Sequence, residues 1–333
     1  MTPATHSSPS RLALIGAFAA IYVVWGSTYL AILIAIETVP PFLMAGFRFL
    51  FAGLALYGWM RFQGGVAGSG WRPWAWAVVV GGLMMAGGNG VVTWAEQWVP
   101  SGLASVIVAT VPIWMVGLDA TVFGGRKLTA TAVAGLVLGM LGVVLLASPG
   151  GDSAAMRGIV MLVLASLSWS VGSLLSRRVN HPSSLAMAGM QMIAGGVILV
   201  LWGTLVHEWR GFDVAAISTR SWIAFVYLVT FGSILALGCY VWLMRVSTAS
   251  AVSTYAFVNP VVAVFLGWAF AGERLGINEW IAAAFILGAV VLLQMKRKPR
   301  SVEAAKPATR EAADEPEPAE PCSQVPTLCQ ERA

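Results

Sequence analysis

Arg48 and Glu96 are charged residues set among long runs of apolar side chains. An ionisable group in hydrocarbon costs about 3 kcal/mol or more, so it has to be paired, hydrated or functional. Arg48 could line a cavity and bind a substrate carboxylate, or close a gate through a salt bridge to Glu96. It could equally be a structural arginine that bonds carbonyls at a helix end or extends its head group towards water. The sequence leaves both interpretations open.

Asp119 is the other acidic candidate within an apolar run. It would have to be buried to hold a proton at neutral pH, as a proton carrier must. Its position near the end of the run, shortly before Arg126 and Lys127, favours a simpler role as their ion partner at the membrane interface.

Aromatic and neutral polar residues make up the rest of the predicted site. Trp25 falls in the middle of an apolar run, where its indole N–H needs a buried partner or a wet cavity. An aromatic interior with few charges selects neutral or amphipathic substrates, and ring faces can hold cations. Hydrogen bonding between helices explains each polar residue as well as ligand binding does. The predicted substrate-binding set is Trp25, Ser27, Thr28, Tyr29, Arg48, Asn89, Trp94, Trp169, Gln191, Tyr240, Trp242, Tyr255 and Asn259.

Pro112 and Pro260 lie near the middle of two further apolar runs. A proline inside a helix removes one backbone hydrogen bond and bends the helix. Each could therefore act as a hinge that offers a free carbonyl to substrate, or form a static kink that neighbouring helices stabilise.

The composition explains which elements must position these residues. Hydrophobic residues make up 58% of the 333 residues and charged residues 11%, against roughly a quarter charged in soluble domains. The apolar residues fall into runs of about 20, the length that crosses a bilayer as a helix. We predict an all-α membrane protein with ten transmembrane helices at residues 12–35, 42–62, 73–94, 103–123, 130–147, 158–175, 185–206, 222–244, 250–271 and 277–295.

The basic residues predict the orientation of the chain. With the N-terminus inside, most of the 20 Lys and Arg residues fall in inner segments, and the outer loops hold only Arg157, Arg210, Arg220 and Arg274. Cytoplasmic loops carry this excess of positive charge. We expect a multi-pass protein of the bacterial inner membrane with both termini in the cytoplasm. The net charge of +5 is thereby explained without a nucleic acid partner.

The sequence repeats itself at a spacing of about 145 residues, and such repeats define an architecture. Because each copy would hold an odd number of spans, the second copy must cross the membrane in the opposite sense. We predict a cytoplasmic N-terminus at 1–11, a first repeat at 12–147, an outer linker at 148–157, a second repeat at 158–295 and a disordered cytoplasmic tail at 296–333. The matched pairs include Trp25 with Trp169, Pro112 with Pro260, and residues 45–49 with 188–192.

Several motifs carry a family resemblance: Trp25-Gly26-Ser27-Thr28-Tyr29, Met44-Ala45-Gly46-Phe47-Arg48-Phe49, Val99-Pro100-Ser101-Gly102-Leu103-Ala104 and Ala256-Phe257-Val258-Asn259-Pro260. The chain resembles the EamA family of the drug/metabolite transporter superfamily over about residues 12–295. The resemblance implies two inverted five-helix repeats around a central cavity, and the export of amino acids, other metabolites or toxic compounds. The family commonly has Gly-Glu-Arg-Leu in both halves. Here the second half keeps it at 272–275, and the first half has Gly-Gly-Arg-Lys-Leu at 124–128.

These observations predict a secondary transporter that exports small amino-acid-like or amphipathic, drug-like molecules by alternating access. The alternatives are a structural or sensory membrane protein acting through its tail, and a transporter of another solute class working by facilitated diffusion. An enzyme is disfavoured because the sequence has no HExxH, GxSxG or Walker A motif. We expect no cofactor and no metal; the partners are the lipid bilayer and a small-molecule substrate, with protons as a candidate coupling ion. The chain should be a monomer or a weak homodimer.

Overall fold

The structure is a computed structural model and describes residues 10–64, 70–124, 128–146, 153–178, 183–247, 249–252 and 254–295. These residues form helices, with no β-strand among them. The predicted tail at 296–333, including Cys322 and Cys329, lies outside the described residues. The α-helices are α1 Arg11–Ala35, α2 Pro41–Phe62, α3 Trp71–Gly81, α4 Val91–Ala95, α5 Ser101–Val108, α6 Val111–Thr121, α7 Ala130–Leu146, α8 Ser153–Ser176, α9 Ser184–Leu205, α10 Thr219–Tyr227, α11 Ala236–Val246, α12 Ala249–Val252, α13 Tyr255–Ala271 and α14 Ile277–Met295.

Helices that could span a membrane occur along most of the described ranges. Seven helical stretches are long and apolar enough to cross a membrane: Arg11–Ala35, Pro41–Phe62, Trp71–Ala95, Ser101–Thr121, Ser153–Ser176, Ser184–Leu205 and Thr219–Met244. Three further apolar helices are shorter, at Ala130–Leu145, Tyr255–Ala271 and Ile277–Leu293. The all-α membrane class is therefore confirmed, whereas the count of ten spans and their inverted order remain predictions.

Two of the long stretches contain π-helical segments. Gly82–Gly90 joins α3 to α4, and Leu228–Leu235 joins α10 to α11. A π-helical turn leaves the regular ladder of hydrogen bonds and is frequent at functional sites. The first segment is rich in glycine, and the second carries Gly232 and Ser233 towards α1 and α2.

The predicted span at 103–123 divides into two helices. α5 ends at Val108 and α6 begins at Val111, with a turn at Ala109 and Thr110 between them. Pro112 stands in the first turn of α6, where its missing N–H costs little and its ring opposes continuation of the preceding helix. The two helices still form one stretch that is long enough to cross a membrane, Ser101–Thr121, and its break lies two residues before Pro112, the residue predicted to interrupt it. Pro260, by contrast, lies inside α13.

Helices α2 and α9 pack through two reciprocal pairs of glycines. A Cβ placed on Gly46 would lie 3.1 Å from the carbonyl oxygen of Gly196, and one on Gly196 would lie 2.9 Å from that of Gly46. Gly53 and Gly189 are related in the same way, at 2.9 and 3.3 Å. Small residues allow two backbones to approach this closely in lipid. This contact brings α2, which carries Arg48, against the second half of the chain.

Two glutamates from distant loops cap the starts of helices. Glu208, in the turn after α9, accepts hydrogen bonds from the backbone N–H groups of Phe42 and Leu43 at 3.1 and 2.9 Å. Glu273 does the same for Ser101 and Gly102 at 2.7 and 2.9 Å. Each carboxylate accepts from two backbone N–H groups that have no partner within their helix, and its negative charge interacts favourably with the positive end of the helix dipole. Together they tie the starts of α2 and α5 to the second half of the chain.

Candidate functional site

Arg48 is buried, with 4% of its surface exposed, about two turns into α2. Its Nε donates to the Ser233 hydroxyl at 2.9 Å, and its guanidinium lies 4.9 Å from the centre of the Phe49 ring. Its Nη1 has no hydrogen-bond partner among the described residues. Arg48 therefore neither extends to water nor bonds carbonyls at a helix end. Its Nε is held by Ser233, and the two N–H groups of Nη1 are left without a partner in the described part of the chain.

Helix α1 completes the surroundings of Arg48. The Trp25 indole N–H donates to the carbonyl oxygen of Gly232 at 3.2 Å, which gives it the buried partner that a mid-span tryptophan needs. The Thr28 methyl group packs against the same glycine, and the Thr28 hydroxyl donates to the Trp25 carbonyl at 2.6 Å. We call Trp25, Thr28, Arg48, Gly232 and Ser233 the polar centre. It lies where α1, α2 and the second π-helical segment meet.

Glu96, which follows α4, is the other buried charged residue in the described part of the chain. It is 2% exposed, and neither carboxylate oxygen has a hydrogen-bond partner there. It lies within electrostatic range of Arg48, Tyr29 and Glu273. The salt bridge between Arg48 and Glu96 that would close a gate is therefore absent in this conformation. A separate ion pair joins Arg220 to Glu37 on the surface, at 3.5 Å.

One aromatic group extends the polar centre along α1. The rings of Tyr240 and Tyr255 lie 5.4 and 5.1 Å from Trp25, and 6.1 Å from each other. Trp242 packs against the same cluster of apolar residues. The Asn259 amide lies 3.2 Å from the backbone oxygens of Tyr255 and Tyr22 and donates to both when its nitrogen faces them. Asn259 thus joins α13 to α1.

A second aromatic group packs against α2. Trp94 stacks on Phe42 at 6.2 Å, and Phe42 stacks on Trp202 at 5.3 Å. Trp169 packs against the same core and touches the backbone near Gly88. Most of the predicted aromatic residues therefore fall into two groups, and Arg48 contacts the ring of Phe49, which packs in the core of the second group.

The remaining predicted residues have mainly structural contacts. Ser27 hydrogen-bonds the Tyr227 hydroxyl at 2.6 Å. Gln191 is buried in α9, where its backbone packs closely on Gly81. The backbone oxygen of Asn89 accepts a bond from Thr93 at 2.9 Å.

Asp119 is partly exposed on α6. Its predicted partners Arg126 and Lys127 lie outside the described residues, so its role as an interfacial ion partner stays a prediction.

Several residues at or near the site were missed by sequence reasoning. Ser233 is a single hydroxyl in an apolar run and gave no pattern; Tyr227 likewise stood in the span 222–244 without a motif. Glu273 was noticed only as part of Gly-Glu-Arg-Leu, whose glycine adopts φ 66° at the end of α13 and turns the chain so that the carboxylate reaches α5. Glu208 carried no signal. Its burial raises the pKa of its carboxyl, while the two backbone donors oppose that rise.

An apolar groove of about 560 Å³ lies elsewhere, between α5, α13 and α14. Pro260 and Glu273 line part of it. The rest of its wall is formed by apolar side chains such as Val261, Phe265 and Trp268, which are about 60% exposed. None of the polar centre lines it. The groove belongs to the outer surface of the helix bundle rather than to the candidate site.

The polar centre brings together groups that can bind a solute. No group of three or more His, Cys, Asp or Glu residues that could hold a metal ion occurs within the described ranges. What the centre offers is a fixed cation, a nearby buried carboxylate, and aromatic faces. Such a constellation, set inside a bundle of apolar helices, is typical of a membrane protein that recognises a small solute.

Buried charges inside a bundle of apolar helices are a feature of many membrane transporters. The chain belongs to the EamA-like transporter family, whose model matches residues 12–148 and 156–295. It is 38% identical to the uncharacterized inner membrane transporter YedA of Escherichia coli (strain K12) over 285 residues, 85% of this chain and 91% of the relative. It is 25% identical to the uncharacterized transporter YoaV of Bacillus subtilis (strain 168), over 81% of this chain and 90% of the relative.

A solved crystal structure shares the fold. It superimposes with a TM-score of 0.59 at 23% identity and covers 85% of this chain and 98% of its own. The expected family is confirmed by the family model and by the 38% identical relative.

Proposed function

We propose that this protein is a secondary transporter that exports small organic molecules, amino-acid-like or amphipathic, by alternating access. The observation that carries the proposal is Arg48. A buried charge that keeps a free donor is costly, and such charges in membrane proteins usually face a substrate pathway. Its surroundings come from two other helices: Ser233 lies in the second π-helical segment, and Trp25, which donates to Gly232 of that segment, lies in α1.

The reciprocal packing of α2 and α9 supports alternating access. In the sequence match, Gly46 corresponds to Gly189, and the same offset relates Gly53 to Gly196. The contacts run from Gly46 to Gly196 and from Gly53 to Gly189, which is the exchange that a two-fold axis produces. Inverted repeats related by such an axis have two equivalent states that open to opposite sides. Binding at the polar centre would then be accessible from each side in turn.

The direction of transport and the substrate class are inferred from features other than Arg48. The aromatic rings around Trp25 favour solutes with an apolar part, and the family resemblance favours outward transport. The alternative of a structural or sensory protein that acts through its tail does not explain why Arg48 is buried with an unpartnered Nη1. It predicts that activity depends on residues 301–333, whereas the transporter should survive their deletion.

An efflux assay in cells tests the proposal. Arg48→Ala and Trp25→Ala should reach the membrane at the wild-type level and lose efflux of the transported solute by about tenfold or more, the effect of removing a charged or aromatic contact. Arg61→Ala is the matched control, because Arg61 is exposed at the end of the same helix. Unchanged efflux in both test variants would refute the site assignment.

A further inference from the structure

The Gly-Glu-Arg-Leu motif at 272–275 contains one residue that the fold does not use. Gly272 turns the chain with φ 66°, Glu273 caps α5, and Leu275 packs against the apolar core next to α5. Arg274, by contrast, is exposed and has no hydrogen bond, ion pair or ring contact to another described residue. Its charge is therefore free to interact with a partner outside the chain.

Arg274 lines the apolar groove between α5, α13 and α14, whose volume is about 560 Å³. Ligand pockets have volumes of about 300–1,000 Å³. The groove forms because two consecutive helices have different partners: α13 packs against α1 and α5, whereas α14 packs mainly against α7. Helix α5 forms the floor, since a Cβ on Gly102 would lie 3.1 Å from the Cα of Val264.

The groove runs from the level of the lipid headgroups into the hydrocarbon. Trp268 lies in the last turn of α13 and Trp280 in the first turn of α14, and they are 61% and 53% exposed. Tryptophans are enriched at the membrane–water interface, so the end of the groove at Arg274 lies at that level. Pro260, also in the groove, lies eleven residues before the end of α13 at Ala271. That rise is about 16 Å, close to half of the hydrocarbon thickness, about 15 Å.

Two carboxylates near Arg274 have other interactions. Glu273 is turned towards α5, where it accepts from two backbone N–H groups. Glu279 is partly exposed in the first turn of α14, and its Oε2 lies 2.5 Å from the position that a Cβ on Gly276 would take. There its charge interacts favourably with the positive end of the helix dipole. The guanidinium of Arg274 therefore remains as the cation at the mouth of the groove.

We propose that this groove is a binding site for an anionic phospholipid. Arg274 binds the lipid phosphate, and one acyl chain lies between α13 and α14 over α5. A guanidinium presents paired N–H donors that match the geometry of phosphate oxygens. Each CH₂ group of the chain that is buried adds to the affinity. The site is separate from the polar centre, and its test does not require transport.

Photo-crosslinking of the full-length, detergent-solubilised protein tests the site. The probe is a trace of phosphatidylglycerol with a diazirine in the middle of one acyl chain, and mass spectrometry of peptides locates the labels. The labels should concentrate on the groove walls of α13 and α14. Unlabelled phosphatidylglycerol should compete about fivefold better than phosphatidylcholine with the same chains, which is the contribution of one basic residue near a membrane surface.

A charge variant tests the headgroup contact. Arg274→Gln should reduce the fivefold preference for phosphatidylglycerol to less than about twofold, because the phosphate loses its cation. Arg210→Gln is the matched control, since Arg210 is exposed in another loop and does not line the groove. It should compete like the wild type.

A volume variant tests the acyl-chain contact. Val261→Trp should occupy the groove and lower labelling of its walls by about tenfold or more, the effect expected when about two CH₂ groups leave the groove. Val144→Trp is the matched control. Val144 and Val261 are both 60% exposed, but Val144 lies on α7 and does not line the groove.

Any of five results would overturn the proposal. The first three are equal competition by the two lipids, an unchanged preference in Arg274→Gln, and undiminished labelling in Val261→Trp. The fourth is an even spread of labels over all exposed apolar helices, as ordinary boundary lipid predicts. The fifth is a crosslink between two copies of the chain through α13 or α14 that shields the groove from label, because a second copy would then be its occupant. None of these results bears on the proposed transport function.

Discussion

Replacing Gly53 with alanine tests the close contact between α2 and α9. The new Cβ would lie 2.8 Å from the backbone nitrogen of Ile193 and 2.9 Å from the carbonyl oxygen of Gly189. Ordinary contacts are about 3.5–4.0 Å, and both neighbours are backbone atoms of a helix that cannot rotate away. The helices must separate by about 0.5–1 Å, and overpacking of this kind costs about 1–3 kcal/mol.

Gly58 provides the matched control on the same helix. A Cβ at Gly58 meets nothing within 4 Å, so Gly58→Ala should keep only the gain in helix propensity, about 0.5–1 kcal/mol. Gly53→Ala receives the same gain, which cancels in the comparison. We therefore expect Gly53→Ala to be less stable than Gly58→Ala by about 1–3 kcal/mol.

The assay is thermal unfolding of both variants in one detergent at one scan rate, since membrane proteins often unfold irreversibly and the apparent Tm then depends on rate. Gly53→Ala should unfold several degrees below Gly58→Ala. Equal midpoints, or a higher midpoint for Gly53→Ala, would refute the reasoning from α2–α9 packing.

Two further predictions concern charged residues. Glu273→Gln loses one of two charge-assisted hydrogen bonds at the start of α5 and should lower the free energy of unfolding, measured by thermal unfolding, by about 1.5–3 kcal/mol. The control Glu279→Gln should change it by about 0.5 kcal/mol or less. Equal effects of the two variants would contradict the capping role of Glu273. Arg48→Met should unfold at or above the wild-type temperature yet lose efflux, because an apolar residue of similar volume replaces a buried charge whose Nη1 lacks a hydrogen-bond partner among the described residues. A purely structural Arg48 predicts the reverse, a large loss of stability with efflux retained in the folded fraction.

The positions of the long helices could be predicted from the sequence because hydrophobic runs in a membrane protein have the length of the bilayer. The predicted span 42–62 became Pro41–Phe62, and 185–206 became Ser184–Leu205. The predicted span 103–123 became Ser101–Thr121, but a turn at Ala109 and Thr110, just before Pro112, divides it into two helices. Hydropathy averages over such a break and does not detect it.

The candidate site was predictable only in part. Arg48 could be singled out because charge at membrane depth is rare, and Trp25 because its N–H needs a partner. Their actual partners, Ser233 and the Gly232 carbonyl, lie 185 and 207 residues away along the chain. Which hydroxyl meets Arg48 depends on the rotation of one helix against another, and in a helix that is apolar all round no periodicity fixes that rotation.

Glu273 shows the same limit from the other side. The motif around it was recognisable, but its function as a cap for α5 appears only when Gly272 turns the chain back towards Ser101 and Gly102. The first half has no glutamate at the corresponding place. The two halves therefore differ at this cap, whatever symmetry relates them elsewhere. The sequence showed this difference, but it did not show that the glutamate caps a helix.

The central claim, that solute crosses by alternating access through the polar centre, is tested most directly by counterflow. Proteoliposomes holding the protein are loaded with an unlabelled amino-acid mixture and diluted into the same mixture at trace labelled concentration. The wild type should accumulate label above its external concentration for a transient period, because a carrier exchanges solute at one site that faces each side in turn, and Arg48→Ala should not. Simple equilibration of label by the wild type, or undiminished counterflow by Arg48→Ala, would contradict the account.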